Sequence, residues 1–394
     1  MATAVGSRLR SSWVRPFAAG RSLLRRLVFE LRLHRTRMQR PRCRPAVVIF
    51  PSSQPWSASS NLRAWLVAPE LERLGWRVVV VPEPLSLSQR IRVLRLERPD
   101  VVLLQQTRHL LNQPRLYRLY PCVLDVDDAD YLDPRHHDRI VQCATDAAAI
   151  VGGSRYVASL FSQHHDGPLH VLWTSTPRPG SAPSTPPALR ERVVAWAHER
   201  PLVFKHEANL VQAVMVEVCR RTGCAFWLFG TSEDKAREWL EPIRRAGGIC
   251  TAIPTMPYEA YLDKVAQCAV GLQPVCLSSA FSRGRSFGKI LAYLAGQVAV
   301  VASDAIDHPL LFRSGTNGFL VRESVEDWVE AIVPLVEDSA LRCRVALAGW
   351  EDLHERLTTD RFAKLLDPIL RQAASTHMRG SHQVGGISPQ GRPT

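Results

Sequence analysis

Short apolar runs alternate with amphipathic stretches along the first half of the chain. Runs of four to six residues lie at 46–50, 76–81, 100–104, 123–126, 148–152 and 169–173. Such continuous runs are typical of strands that are buried on both faces of a sheet. Amphipathic stretches at 62–75 and about 88–97 predict helices between the strands, the first of them closed by Gly75. This alternation predicts a parallel, doubly wound sheet.

The pattern restarts after a proline-rich segment. Residues 175–187 contain five prolines and predict a linker without regular structure. Beyond it, the predicted strands lie at 202–205, 225–230, 248–252, 270–274 and 298–302, and the predicted helices between them at 209–221, 233–246 and 258–268. The fold class is therefore α/β, with two Rossmann-like doubly wound domains that face a cleft.

The same pattern divides the chain into five parts. They are a basic arm at 1–44, an N-terminal domain at 45–174, the linker at 175–187, a C-terminal domain with closing helices at 188–374 and a tail at 375–394. The tail is polar and rich in Gly and Pro, which predicts disorder. Ligands of such sheets lie beyond the carboxyl ends of the strands, so we expect the site in the cleft.

The net charge of +13 belongs to the arm rather than to the folded body. Residues 1–45 hold twelve arginines and one acid, Glu30. The near-neutral body argues against a nucleic-acid partner. Residues 22–33 predict a basic amphipathic helix, so residues 1–44 could rest on an anionic membrane surface. The alternatives are an organelle transit segment, a solvated extension and a start codon placed too far upstream.

Cysteine usage points to a reducing compartment. The nine cysteines form no Cys-x-x-Cys pair, which predicts free thiols rather than a disulfide framework or a zinc site. No apolar run is long enough to cross a bilayer. We therefore expect a cytoplasmic protein whose arm offers a peripheral contact with a membrane.

The most specific chemistry lies between residues 281 and 321. A polar loop at 282–286 opens a predicted helix that ends near 296, and the strand at 298–302 follows. Arg283, Arg285 and Lys289 surround the start of this helix, where free backbone N–H groups favour a phosphate. The spacing predicts a phosphate site, with a solvated basic turn as the alternative.

This stretch resembles the donor-binding motif of GT-B-fold glycosyltransferases, in particular the large retaining group that uses nucleotide-sugars. The helix of that group often reads Lys-Leu-x-Glu-Tyr-Met-Ala-x-Gly-x-Pro-Val-Val-Ala-Ser. Lys289, Tyr293, Ala295 and the run at 300–303 match it, and residues 315–321 match the group's Gly-x-Asn-Gly-x-Leu-Val strand. Gly284 and Ala292 depart from it, since they stand where the group carries two glutamates.

The resemblance implies an enzyme that moves a sugar from a nucleotide-sugar donor to a glycan or lipid-linked acceptor. It further implies retention of stereochemistry and no metal or other cofactor. The two departures leave open a catalytically silent protein that binds nucleotide-sugar or glycan, or that acts as a scaffold. A sugar-nucleotide epimerase of the same fold is less favoured, because no matching acid–base set is found.

Candidate site residues follow from the motif and from strand ends. Donor-binding candidates are Lys205, Arg283, Arg285, Ser286, Gly288, Lys289 and Asp304; Lys205 is expected directly after the first strand of the second domain. The catalytic candidates are His109, after the third strand, and Asp127, within the acidic cluster at 125–133. An Asp-x-Asp metal motif or a helix-capping loop are the alternatives for that cluster.

Overall fold

The computed structural model describes residues 44–105, 108–180, 182–285 and 288–383. The N-terminal domain contains a parallel sheet with strand order β2-β1-β3-β4-β5-β6. Its strands are β1 (Ala46–Phe50), β2 (Arg77–Val80), β3 (Val101–Gln105), β4 (Cys122–Val126), β5 (Ala149–Gly152) and β6 (Leu169–Val171). Strands β1, β3, β4 and β5 are buried along their whole length, as the continuous apolar runs predicted.

Helices cover both faces of this sheet. They are α1 (Ala58–Ser60), α2 (Val67–Arg73), α3 (Leu87–Glu97), α4 (His137–Asp146) and α5 (Arg155–Phe161), with a π-helical turn at Asn61–Trp65 and 3-10 turns at Pro114–Tyr117 and Asp130–Leu132. Ser86 and Ser154 cap α3 and α5 with their hydroxyl groups. The first helical region begins four residues before the predicted 62, because the Ser-rich segment is itself wound into the helix.

The C-terminal domain contains a second parallel sheet, with strand order β12-β11-β10-β7-β8-β9. Its strands are β7 (Val193–Trp196), β8 (Ala225–Phe229), β9 (Ile249–Ile253), β10 (Val270–Gln273), β11 (Ala299–Ser303) and β12 (Phe319–Val321). The predicted first strand at 202–205 is wrong. That segment forms a 3-10 turn at Pro201–Val203 and the start of a helix, and the buried run Val193–Trp196 is the strand.

All helices of the C-terminal half of the described chain except the last one surround the second sheet. They are α6 (Lys205–Thr222), α7 (Glu233–Arg245), α8 (Tyr258–Val265), α9 (Ala280–Arg283), α10 (Gly288–Ala295), α11 (His308–Leu311), α12 (Val325–Glu337), α13 (Ser339–Arg356) and α14 (Thr359–Gln383). Helix α14 crosses back and packs on α2, β3 and β4. The predicted boundary at 374 assigned this helix to the C-terminal domain, whereas its apolar face completes the N-terminal core. The predicted disordered tail is helical up to Gln383.

Contacts between the domains fix the cleft. Asp307 accepts hydrogen bonds from the Arg155 backbone N–H, the Arg155 Nε and the Trp173 Nε1, each at 2.9 Å. At the crossover, the Thr176 N–H donates to the Leu357 carbonyl over 2.9 Å, and the Thr359 N–H donates to the Thr176 carbonyl at the same distance. No helix of the described part of the chain is long and apolar enough to span a bilayer.

Candidate active site

The second sheet changes winding direction between β7 and β10, which are neighbours in the sheet but not in the chain. Such a point opens a crevice beyond the carboxyl ends of the strands. The loop at 197–204 follows β7 into this crevice, and residues 274–285 follow β10. These two segments and the start of α6 build the site.

Arg285 is a buried cation at the centre of this crevice. Only 8% of the residue is exposed, and its guanidinium lies 3.9 Å above the ring of Phe204. Its Nη1 is 3.6 Å from Glu207 Oε1, while its buried Nη2 has no hydrogen-bond partner among the described residues. Burial lowers the pKa of Arg285, and the nearby Glu207 and Asp128 oppose that effect. An unpaired buried donor is costly, so the site retains the capacity to bind an anion or an acceptor oxygen.

Glu207 connects the first turn of α6 to the loop after β10. This buried carboxylate accepts a hydrogen bond from the Ser282 hydroxyl and one of 3.4 Å from the Cys276 N–H. Ser282 is held in turn by the capping Ser279. Glu207 therefore fixes the segment that carries Arg285 and leaves one face of the guanidinium free.

Lys289 adds a second cation, directly after Gly288 at the beginning of the described part of α10. Burial lowers its pKa, while Asp128 and Glu199 act in the opposite direction. The same two cations act on His198. Burial, Lys289 and Arg285 lower the pKa of His198 to about 2, so its imidazole is neutral. The crevice thus holds two cations without a competing imidazolium.

Gly230 permits the path of the loop that carries His198 and Glu199. Its φ is +84°, and a Cβ at this position would lie 1.8 Å from the His198 carbonyl oxygen. Only glycine fits a backbone approach this close. Sequence reasoning missed His198 and Glu199 because the strand before them was misplaced; the apolar run at 193–197, followed by charged residues, was the available signal.

An acidic loop from the N-terminal domain forms the opposite wall. Residues 127–130 follow β4, and Arg108 Nη2 lies 3.0 Å from Asp128 Oδ2. Arg108 also pairs with the buried Asp130 through its Nε. The Asp128 side chain is 30% exposed, and burial together with Asp127 and Asp130 raises its pKa to about 7. Lys289 is among the cations that oppose this rise.

The two walls touch at Gly284. A Cβ at this position would lie 2.1 Å from the Cβ of Ala129, so the closed arrangement requires glycine. This is the position at which the resemblance expects the first glutamate. The second expected glutamate is Ala292, which is buried in a core cluster with Val300 and Leu353.

The remaining donor-site candidates have mixed placements. Gly288 is the first described residue of α10, and Ser286 lies outside the described residues. Arg283 is exposed, and its Nε donates to the Leu277 carbonyl over 2.7 Å. Lys205 is exposed at the first position of α6 instead of following a strand, and Asp304 is exposed beyond β11.

The catalytic candidates lie in the N-terminal domain. Asp127 accepts a 2.6 Å hydrogen bond from the Thr174 hydroxyl and lies 3.5 Å from Arg63, so one carboxylate oxygen is occupied. His109 accepts a 3.1 Å bond from the Leu111 N–H, and its Nε2 is 3.4 Å from Arg90 of α3. Burial and Arg90 lower the pKa of His109 to about 4. Their catalytic roles stay predictions.

Comparison with solved structures identifies the fold. The chain is similar to HepE of Anabaena in complex with UDP and glucose, with a TM-score of 0.60, 15% identity and coverage of 83% of this chain and 100% of that one. It is similar to sucrose-phosphate synthase of Thermosynechococcus elongatus, with a TM-score of 0.62, 12% identity and coverage of 84% and 100%. A UDP-N-acetylglucosamine 2-epimerase of Listeria monocytogenes, described as putative, aligns with a TM-score of 0.51 and 13% identity over 82% and 94%.

These likenesses, together with the two six-stranded parallel sheets of the described residues, show that the chain has the GT-B fold. No protein-family model and no curated protein matches the chain. At such low identity the likeness concerns the fold, and the reaction must be argued from the site.

Proposed function

We propose that this protein is a glycosyltransferase that moves a sugar from a nucleoside-diphosphate sugar to a glycan or lipid-linked acceptor. The observation that carries this proposal is Arg285, a buried guanidinium with a free Nη2 at the switch point of the second sheet. Lys289 and the N-terminus of α10 lie beside it. These groups are hydrogen-bond donors without acceptors, and a diphosphate supplies the anionic oxygens that they would bind. HepE, which shares the fold, is described in complex with UDP and glucose.

The chemistry needs the departing diphosphate to be stabilised. The bond from the sugar anomeric carbon to the diphosphate oxygen breaks, a bond to the acceptor oxygen forms, and the proton of the acceptor hydroxyl passes to the departing diphosphate. Arg285 and Lys289 stabilise the charge that develops on the leaving oxygen. The acidic loop faces them, and Asp128, whose raised pKa suits it to share a proton, hydrogen-bonds the acceptor hydroxyl.

Two finer features belong to the same proposal. Because fixed cations already face the diphosphate position, transfer proceeds without a metal ion. Retention of the anomeric configuration follows from the resemblance of residues 281–321 to the retaining group. Activity that persists in EDTA checks the first, and the anomeric proton signal of the initial product checks the second. Loss of activity in EDTA, or inversion, would refute the respective feature.

The experiment that tests the donor site is a thermal-shift screen of the full chain with UDP, GDP, ADP and their common sugar conjugates. We expect one nucleotide to raise the melting temperature. Lys289→Ala should abolish the rise, while Lys235→Ala, on the exposed face of α7, should preserve it. No rise with any nucleotide would reject the donor site.

A catalytically silent nucleotide-sugar or glycan-binding protein is the second candidate. Gly284 and Ala292 favour it, since neither position offers a carboxylate to the donor. Because Ala292 is buried, introducing Glu there would place a carboxylate in the core and would not restore a site cleanly. Turnover is the better test: nucleotide binding without transfer to any acceptor and without hydrolysis of the donor would favour the silent protein.

A further inference from the structure

Two cysteines lie in direct contact at the end of α6 that is remote from Glu207. Cys219 belongs to the last turn of this helix, and Cys224 is the residue before β8. Their sulfur atoms are 3.8 Å apart, and the Cys219 thiol also donates to the Cys224 carbonyl oxygen over 3.6 Å. Both are buried free thiols. The sulfurs of a disulfide are about 2.05 Å apart, so an approach of about 1.8 Å would close this pair.

Two glycines of the backbone build this contact. Gly223 ends α6 in the left-handed region, with a φ of +62°, and its N–H donates to the Cys219 carbonyl over 2.8 Å. This reversal brings Cys224 back against the last turn of the helix. Gly248, before β9, leaves the space in which the Cys219 sulfur lies, since a Cβ at this position would be 2.7 Å from that sulfur.

The two thiols differ in acidity. The hydrogen bond from the Cys219 thiol lowers the pKa of Cys224 despite burial, and the positive charge of Arg192 acts in the same direction. The same hydrogen bond, together with burial, raises the pKa of Cys219. Thiolate is the nucleophilic form of cysteine. Cys224 is therefore the thiol that reacts first with an oxidant, and Cys219 is placed to react with the product.

The pair lies close to the protein surface. The residues between the two cysteines in the chain, 220–223, are exposed except for the half-buried Thr222. The last turn of a helix opens locally more readily than its middle, which admits a small oxidant to the sulfurs without unfolding of the domain. Hydrogen peroxide is small enough for this route.

Cys250 in β9 is the third thiol of this region. Its thiol donates to the Gly248 carbonyl oxygen over 3.7 Å, and burial raises its pKa to about 11. The Cys250 thiol is therefore protonated and directed to the backbone of its own strand. The geometry favours a bond between Cys219 and Cys224 over one to Cys250.

We propose that Cys219 and Cys224 form a redox-active dithiol that a peroxide converts into an intramolecular disulfide. The Cys224 thiolate attacks one peroxide oxygen, the O–O bond breaks, and the leaving hydroxide takes up the proton that Cys224 had lost. The Cys219 sulfur then attacks the sulfenic acid on Cys224, the S–S bond forms, and the hydroxyl group departs as water with the Cys219 proton. The two thiols lose two electrons and two protons, and the peroxide becomes two molecules of water. A dithiol reductant reverses the reaction.

Peptide mapping of the peroxide-treated full chain tests the proposal. Trypsin cleaves between the two cysteines, because positions 220 and 221 are both arginine. A disulfide between Cys219 and Cys224 therefore links two separate peptides, 206–220 and 222–235. Free thiols are blocked with iodoacetamide, and the digest is analysed by mass spectrometry without reduction. We expect this linked pair of peptides in the treated protein and its complete loss after dithiothreitol.

Three variants test the order of the two steps. In Cys219→Ser, the sulfenic acid has no second thiol to react with, so dimedone should label Cys224. In Cys224→Ser, the linked pair should be lost and Cys219 should stay unlabelled. Cys343→Ser, which removes a half-buried thiol from α13 of the same half of the chain, is the matched control and should form the linked pair as the parent does.

Several outcomes would overturn the proposal. One is the absence of the linked pair in the treated parent protein, and another is a disulfide from either cysteine to peptide 246–264, which contains Cys250. Dimedone labelling of Cys219 in place of Cys224 would refute the assigned nucleophile. The first two outcomes need the parent protein alone, so a variant that fails to fold does not affect them. The reaction involves no nucleotide, so failure of the glycosyltransferase proposal would leave this result unchanged.

Discussion

Replacing Arg285 by methionine separates a ligand-binding role from a structural one. Methionine preserves the unbranched stem against Phe204 and removes the guanidinium. A structural arginine would be fully paired, and its loss would destabilise the fold. Arg285 is instead buried with its Nη2 unpaired and its Nη1 at 3.6 Å from Glu207, beyond hydrogen-bond distance. A structural role therefore predicts lower stability with unchanged nucleotide affinity, whereas a ligand-binding role predicts unchanged stability with lower nucleotide affinity.

The magnitudes follow from this geometry. The variant loses the attraction to Glu207 but gains the desolvation free energy of a buried cation, so the free energy of unfolding should change by less than about 1 kcal/mol. Glu207 remains hydrogen-bonded to Ser282 and to the Cys276 N–H. A charge-assisted hydrogen bond to the diphosphate contributes about 2–3 kcal/mol, so nucleotide affinity should fall about 30- to 150-fold.

Two measurements on the same samples check this prediction. Urea unfolding gives the stability, and calorimetric titration with the nucleotide chosen by the thermal-shift screen gives the affinity. Arg237→Met, on the exposed surface of α7, is the control and should change neither quantity. A loss of more than about 3 kcal/mol of stability with unchanged nucleotide affinity would refute the reasoning, since it would show that Arg285 serves the fold.

Three further predictions concern the cleft and its helix. Gly284→Ala should force the domains apart at Ala129, increasing the radius of gyration in X-ray scattering and weakening nucleotide binding, while Gly180→Ala, with open space around it, should do neither. The raised pKa of Asp128 means that its contribution to stability is present at low pH and is lost as pH rises from about 4 to 7. In urea unfolding measured at a series of pH values, Asp128→Asn should remove about 1–2 kcal/mol of this decline in the free energy of unfolding. Identical pH dependence of the two proteins would contradict the prediction. Gln297, after α10, has a φ of +51°, so Gln297→Gly should raise the free energy of unfolding by about 0.5–1 kcal/mol, and a decrease would count against strain at this residue.

Local pattern was sufficient for most of the fold. The strand predicted at 298–302 is β11 (Ala299–Ser303), and Gly75 ends the first helical region with a φ of +93°. Both depend on short-range physics: a continuous apolar run and a left-handed turn. One exception is β7: the run at 193–197 lies close to the end of the linker, and the start of the domain was placed at the next apolar cluster instead.

The candidate site was predictable only in part, because its contacts join distant residues. The motif supplied Arg285 and Lys289, but Arg283, two residues before Arg285, turns away to the Leu277 carbonyl. The bond between Ser282 and Glu207 spans 75 positions, and no local pattern marks it. The same holds for the contact of Gly284 with Ala129, where glycine is required by the other domain rather than by a turn.

The electrostatics of the site depend on how the domains are held. Lys289 and Arg285 belong to the C-terminal domain, while Asp128, which opposes the effect of burial on both, belongs to the N-terminal one. Asp307, bound to Arg155 and Trp173, and the crossover pairs at Thr176 fix this arrangement. Helix α14 adds a third constraint, since it joins the N-terminal core after the chain has completed the C-terminal domain. Under the proposed transfer reaction, the carboxylate loop opposite the cations would position the acceptor hydroxyl against the donor.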